Sequence, residues 1–425
     1  MVIMHISVRQ HVGFFANVTL TLSTIVGVFL MTPLIIRTYG QGIFLAWSLI
    51  NSACGLMFIV DFGITSVMAR KFHEIFQKTS NFSRRNWKDF LNFHAVIICT
   101  GSGFVIVIFL VQSSFGNVFR LSAQSFLVFI FTLTATLASI ASHQQVLKFQ
   151  ILGRYSQVLT LLAFFKIIET GVVFLLINWR PPFVGIPFTV ALIHILQFLV
   201  LRNLSNRWMF NDAEDTSSIQ TLDFRRLNFV SSVLYSASSI LGIHATFILQ
   251  SLFLAPKQVL TVLICRMMSS PIRIFADSLA IGNFDKFIRK SLANDSKQIE
   301  HKKSWELWLL LLGFSGIYIL LINLIGDFLF TFLSQGQSTS SLILLNLFCI
   351  ATILDGAIVI YMQIAISAGS LDRAGSTYFL LTISSLILLV SFIQPIGIYA
   401  GVASIIFCDL LFFLSQFKLK KKQMP

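Results

Sequence analysis

Apolar residues along this chain gather into runs of roughly twenty, the length a helix needs to cross hydrocarbon. Short polar clusters separate the runs. The strict two-residue alternation of a membrane β-barrel is absent. The pattern predicts spanning helices at about 12–36, 42–66, 91–112, 122–145, 155–178 and 183–201, and again at about 228–254, 258–282, 305–333, 341–368, 375–393 and 395–417. The clearest polar interruption is Arg202–Arg226, which contains NRWMFNDAEDTSSIQTLDFRR. It divides the chain into an N-terminal lobe (1–201), a cytoplasmic linker (202–226) and a C-terminal lobe (227–425). The expected fold is therefore an all-α polytopic membrane protein, with about twelve transmembrane helices in two six-helix lobes around a central cavity. The run from Val12 to Ile36 is too long for a signal-peptide core and reads as a retained first helix.

A faint repeat runs through the two halves. The first span carries Asn17, Thr21, Thr24 and Thr32 along one stripe, and the seventh carries Asn228, Ser231, Tyr235, Ser238, Gly242 and Thr246 along another. The second and eighth spans end in Asp61 and Asp277, followed by Arg70 and Lys286, and both pairs are 216 positions apart. Parallel repeats in two bundles are a common transporter plan.

The informative breaks in the apolar pattern are charges inside spans. Lys166 and Glu169 stand near the middle of the fifth span, where an ionisable side chain costs roughly 2.5–3.5 kcal/mol on insertion scales. Their i,i+3 spacing puts them on one helix face, within reach of each other. Two readings stay open: the pair faces a water-filled cavity, or it locks two helices together. In the eighth span Arg266, Ser270, Arg273 and Asp277 form one polar stripe, and Pro271 should kink the helix within it. Two intramembrane arginines suit an anionic ligand, because guanidinium forks match phosphate oxygens. The alternative is that Arg273 pairs with Asp277, and Arg266 with Asp355 or Glu169. Asp355, in the tenth span, is a candidate counter-ion or proton carrier. Asp409, near the inner end of the twelfth, reads as structural and wetted by the cytoplasm. His94, His194 and His244 stand alone and read as helix-packing hydrogen-bonders.

Composition agrees with a membrane chain: 56% of residues are hydrophobic, 11% are charged and mean hydropathy is +0.83. The net charge of +14 would suggest nucleic acid in a soluble protein. Here the basic residues concentrate in loops on one side, so both termini are expected in the cytoplasm and no nucleic-acid partner is expected. These loops set insertion and meet anionic membrane lipid. The five cysteines, Cys54, Cys99, Cys265, Cys349 and Cys408, lie in apolar runs without CxxC or Cys/His spacing and read as core residues. No Walker A, GxSxG, HExxH or nucleotide-binding glycine fingerprint occurs. No cofactor, metal or catalytic residue is expected.

The start of the chain resembles a known family. It runs Asn17 … Pro33-Leu34-Ile35-Ile36-Arg37-Thr38-Tyr39-Gly40-Gln41-Gly42 … Trp47-Ser48-Leu49 … Gly55 … Val60-Asp61-Phe62-Gly63 … Arg70. This resembles the O-antigen and capsule repeat-unit flippases, the polysaccharide-transporter branch of the multidrug/oligosaccharidyl-lipid/polysaccharide exporter superfamily. The second glycine of the turn stands early here, at Gly42. The resemblance implies two bundles around a central cavity in the bacterial inner membrane. It implies alternating access that carries an undecaprenyl-pyrophosphate-linked glycan between leaflets, with a polysaccharide polymerase and a chain-length regulator as potential partners. On that reading Lys166, Arg266 and Arg273 would bind the pyrophosphate, and Asp61, Glu169, Asp277 and Asp355 would gate or couple. The runner-up is a cation-coupled multidrug exporter of the same superfamily, for which an acidic, aromatic-lined cavity is the discriminating feature. A membrane polysaccharide polymerase is third. It would need a sizeable external loop, and the longest one predicted, about Gly326–Ser340, is short.

Overall fold

A computed structural model describes residues 2–58, 101–103, 105–107, 123–151, 154–209, 229–292, 296–368, 371 and 373–423. Among these the only regular structure is helix. The N-terminal lobe supplies α1 (Val2–Tyr39), α2 (Gln41–Gly55), α3 (Ala123–Ile151), α4 (Tyr155–Trp179) and α5 (Gly185–Met209). The C-terminal lobe supplies α6 (Phe229–Phe253), α7 (Pro256–Leu292), α8 (Ser296–Ser334), α9 (Leu342–Ala368), α10 (Ala374–Ile396) and α11 (Tyr399–Gln423).

Ten helices among the described residues are long and apolar enough to cross a membrane. They correspond to ten of the twelve predicted spans. The second predicted span is described only as far as residue 58, and α2 is interrupted by a turn at Leu56–Met57. The third span lies outside the described residues except for 101–103 and 105–107, and so do Asp61, Arg70 and residues 210–228 of the linker region. The protein is a multi-pass membrane protein. Outer surfaces agree: Leu324 and Phe328 on α8 are 82% and 71% exposed, as side chains facing hydrocarbon should be. Several helices outrun the bilayer. At about 1.5 Å per residue, α7 and α8 are each about 55–60 Å long against a hydrocarbon core of about 30 Å.

The two lobes repeat one packing plan. In the first, α1 packs on α4, α3 on α5 and α4 on α5. In the second, the helices at equivalent positions pair likewise: α6 on α10, α9 on α11 and α10 on α11. The lobes meet crosswise, α1 against α7 and α2 against α6. This exchange is what a twofold-related pair of bundles produces.

Small residues and hydroxyls allow the close packing. In hydrocarbon a hydroxyl must find a partner inside the protein. Thr24, Thr32, Thr132, Ser238 and Thr382 each donate to a carbonyl one turn back in their own helix. Gly375 abuts the Ser231 carbonyl, so α10 and α6 touch backbone to backbone. A Cβ at Gly356 would lie 2.9 Å from Ala276 Cβ, so α9 and α7 also meet where a side chain is missing. Gly40, with φ 88°, makes the turn from α1 to α2, a backbone shape that few other residues adopt.

Among the described residues, the polar contacts across the seam between lobes are neutral. Thr21 Oγ1 and Ser278 Oγ are 2.9 Å apart, and Gln41 donates to the Pro256 carbonyl at 3.3 Å. The His244 ring of α6 rests on Gly55 of α2, where a Cβ would lie 2.5 Å from the ring. Cys54, Cys265, Cys349 and Cys408 are free and buried.

Candidate functional site

The charges inside the spans form two clusters, one in each lobe. In the N-terminal lobe α4 presents Lys166 and Glu169 on one face, with Lys166 Nζ 2.7 Å from Glu169 Oε1. Glu169 Oε2 lies 3.5 Å from His194 Nε2 on α5, so the carboxylate sits between an ammonium and an imidazole. His194 Nδ1 is buried and has no partner. His194 was expected to be an isolated packing residue; it is instead the third member of this cluster. The polar interior continues along α3 and α5. Lys148, 2% exposed, donates to Asn206 Oδ1 at 3.0 Å and lies 3.4 Å from Ser205 Oγ. Ser205 Oγ is 2.9 Å from Gln145 Oε1. The sequence pattern put Lys148 in an inner loop, but α3 continues to Ile151 and carries it inside.

In the C-terminal lobe the cluster is built on α7. Pro271 lacks the N–H that would bond the Met267 carbonyl. The neighbouring Ser270 hydroxyl donates to that carbonyl at 2.7 Å, and the helix runs on unbroken from Pro256 to Leu292. Two residues later Arg273 Nε donates to both oxygens of Asp277, at 3.1 and 3.2 Å. Its Nη2 donates to Ser239 Oγ on α6 at 3.1 Å, and its Nη1 pairs with Asp355 Oδ2 on α9. The glycine after Asp355 lets α9 approach α7 closely enough for that pairing. Arg273 thus ties α6, α7 and α9 together, with two carboxylates around one guanidinium. Asp355 is 17% exposed and Asp277 is 42% exposed, so Asp277 is the wetter partner.

Two tyrosines join a third carboxylate to this lobe. Tyr378 on α10 donates to Asp409 Oδ1 on α11 at 3.1 Å, and its ring lies 6.0 Å from that of Tyr235 on α6. Asp409 is 1% exposed, and its Oδ2 has no partner. The expectation that Asp409 is wetted from the cytoplasm is therefore corrected, because α10 packs over it.

Arg266 is held differently. Its Nη1 donates to the Ile243 carbonyl at 2.9 Å, and its guanidinium carbon lies 5.9 Å from the centre of the Phe247 ring. No carboxylate lies within ion-pair distance of it among the described residues, neither Asp355 nor Glu169. It faces a cavity of about 90 Å³ whose polar wall includes Ser239, Thr246, Gln250, Thr352, Asp355 and Tyr378. Every residue in that wall belongs to α6, α7, α9, α10 or α11. This cavity lies inside the C-terminal lobe and is not shared between the bundles.

The structure therefore brings Arg273, Asp277 and Asp355 together and pairs Lys166 with Glu169. It sets Arg266 about two turns from Arg273 along α7, in a wall that Lys166 does not join. Asp61 lies outside the described residues. Sequence spacing showed the partners within one helix. Asp355, Ser239, His194 and Tyr378 were not assignable, because they reach their partners across helix interfaces.

No family model matches the chain, and no curated protein matches it. Among solved structures it is similar to the eukaryotic MATE transporter AtDTX14, with a TM-score of 0.66 at 13% identity, over 97% of this chain and 96% of that one. The likeness is one of architecture and spans nearly both whole chains: this protein has the two-lobed, all-helical fold of a MATE transporter.

Proposed function

We propose that the protein is a membrane exporter of the multidrug/oligosaccharidyl-lipid/polysaccharide superfamily, in which the two lobes alternate access to the two sides. We further propose that its cargo is an undecaprenyl-pyrophosphate-linked oligosaccharide, moved between leaflets of a bacterial inner membrane for surface polysaccharide synthesis. The observation that carries the exporter reading is the lobe arrangement: two equivalent bundles, crossed at α1/α7 and α2/α6. Such a pair can rock as two bodies around a neutral seam. The cargo reading is supported by the resemblance of the Asn17–Arg70 run to repeat-unit flippases. Lys166, Arg266 and Arg273 put three cations inside the spans, but Lys166 is paired with Glu169 and Arg273 with Asp277 and Asp355, so the cargo reading rests on that resemblance.

A second reading has its own support. Asp277 and Asp355 surround Arg273, and Asp409 lies behind them, so this interior cluster holds three carboxylates against the guanidiniums of Arg266 and Arg273. Together with the fold shared with a MATE transporter, this favours a cation-coupled exporter of small cationic compounds. One complementation experiment separates the two. The gene is expressed in a bacterium that lacks its own repeat-unit flippase and in one that lacks its main drug exporters. Restored surface polysaccharide with unchanged drug sensitivity is expected. Drug resistance without restored polysaccharide, at equal protein level, would reverse the choice.

A further inference from the structure

We infer that the cavity inside the C-terminal lobe is a binding site for a small monovalent inorganic anion of halide size, held between Arg266 and Gln250. Nothing in this inference depends on the cargo.

Arg266 carries a full charge inside the membrane, and buried charges are normally paired. Its pairing is incomplete: one N–H meets the Ile243 carbonyl, one face lies over Phe247, and no carboxylate is in range among the described residues. The second observation is independent. Gln250 is 1% exposed, lines the same cavity, and its Nε2 has no hydrogen-bond partner. An orphaned buried donor has lost its water and gained nothing in exchange. Thr246 stands one turn from Gln250 on the same face of α6, so its hydroxyl borders the same space. This end of the cavity is thus lined by residues that carry a guanidinium, an amide and a hydroxyl, each able to donate, with the Gln250 amide also resting on Gly401.

The wall also contains an acid, and its position matters. Asp355 and Ser239 mark one end of the cavity; Gln250 and Phe348 mark the other. Ser239 and Gln250 are eleven residues apart on α6, about 16 Å along the helix. Arg266 bonds at the level of Ile243, between these ends. Asp355 is engaged by Arg273 on its own side. An anion seated between Arg266 and Gln250 therefore has the guanidinium between itself and the carboxylate. The volume sets the size of the guest. A water needs about 10–15 Å³, so about 90 Å³ has room for a halide with a few waters.

The test is thermal unfolding of the purified full-length protein in detergent, with chloride or bromide exchanged for gluconate at constant ionic strength. The midpoint is expected to rise with halide and to saturate, since a ligand that binds only the folded state stabilises it by mass action. Gln250→Glu replaces the amide beside the anion's seat by an isosteric carboxylate that repels the anion and keeps the size of the group packed on Gly401. This variant is expected to be at least as stable as wild type in gluconate and to lose the halide response. Arg266→Gln, a second variant, is expected to lose the response as well. Equal midpoints in halide and gluconate would mean that the cavity holds water alone. A full halide response retained in Gln250→Glu would place the ion elsewhere. Either result overturns the inference and leaves the exporter reading untouched.

Discussion

At the residue scale, the physics turns on what happens to a charge once its partner is gone. Arg273 has two carboxylates with different exposure, and they should not be equivalent. Removing one member of a buried pair costs about 3–5 kcal/mol, whereas an exposed pair contributes about 0–1 kcal/mol. Asp355→Asn should therefore lower thermal stability in detergent markedly, while Asp277→Asn should change it little. The converse order would mean that Asp277, and not Asp355, anchors the guanidinium. This scale is also where sequence reading was uneven. Lys166–Glu169 and Arg273–Asp277 were legible because both members share a helix, and helical geometry fixes their distance. Asp355 was read as a counter-ion, but for Arg266 and not for Arg273, His194 was read as an isolated packing residue, and Tyr378 was not singled out. Periodicity says which face of a helix a residue occupies, but not which neighbouring helix that face meets. Lys148 was misplaced for a related reason. A polar stretch, Ser142 to Gln145, resembles a helix end in sequence, yet α3 and α5 bury it between them.

At the element scale, helix spacing is set by glycines used as gaps. Gly375 and Gly356 are loci where an added methyl meets another helix; Gly313 on α8 has nothing within 4 Å. Overpacking of this kind costs about 1–3 kcal/mol, and more where the obstacle is backbone. Gly375→Ala should accordingly reduce the yield of monodisperse protein on size-exclusion chromatography, and Gly313→Ala should not. Equal yields would mean that α10 shifts away from α6 without penalty. Helix existence was well marked in the sequence, because a run of about twenty apolar residues has few other stable forms. Helix ends were not: α7 and α8 continue far past the apolar runs that announced them, since charged residues with good helix propensity can extend a helix into water.

At the scale of the whole molecule, the proposed alternating access requires the lobes to move against each other, and the α1/α7 crossing must then change. Thr21→Cys with Ser278→Cys, in a background without the native cysteines, places two thiols where the hydroxyls are 2.9 Å apart. Oxidation should form a disulfide, stop transport, and be reversed by reductant. Undiminished transport with the bond formed would show that this crossing stays fixed through the cycle. The linker expected from Arg202 onward starts inside α5, which runs on to Met209, and Asp61 and Arg70 of the 216-residue offset lie outside the described residues. The crossed packing was not readable, because the order of helices in space is decided by interfaces between runs that look alike in sequence.

The neutral seam has a consequence for how a membrane voltage acts on the protein. Each ion pair described above stays within one lobe, and the lobes touch through hydroxyls, an amide and an imidazole edge lying on Gly55. A field of 100 mV does about 2.3 kcal/mol of work on each elementary charge carried fully across. Among the described residues the seam shows no ion pair, so on the proposed alternating-access function the charges described here meet the field inside the bundles and not where the lobes part.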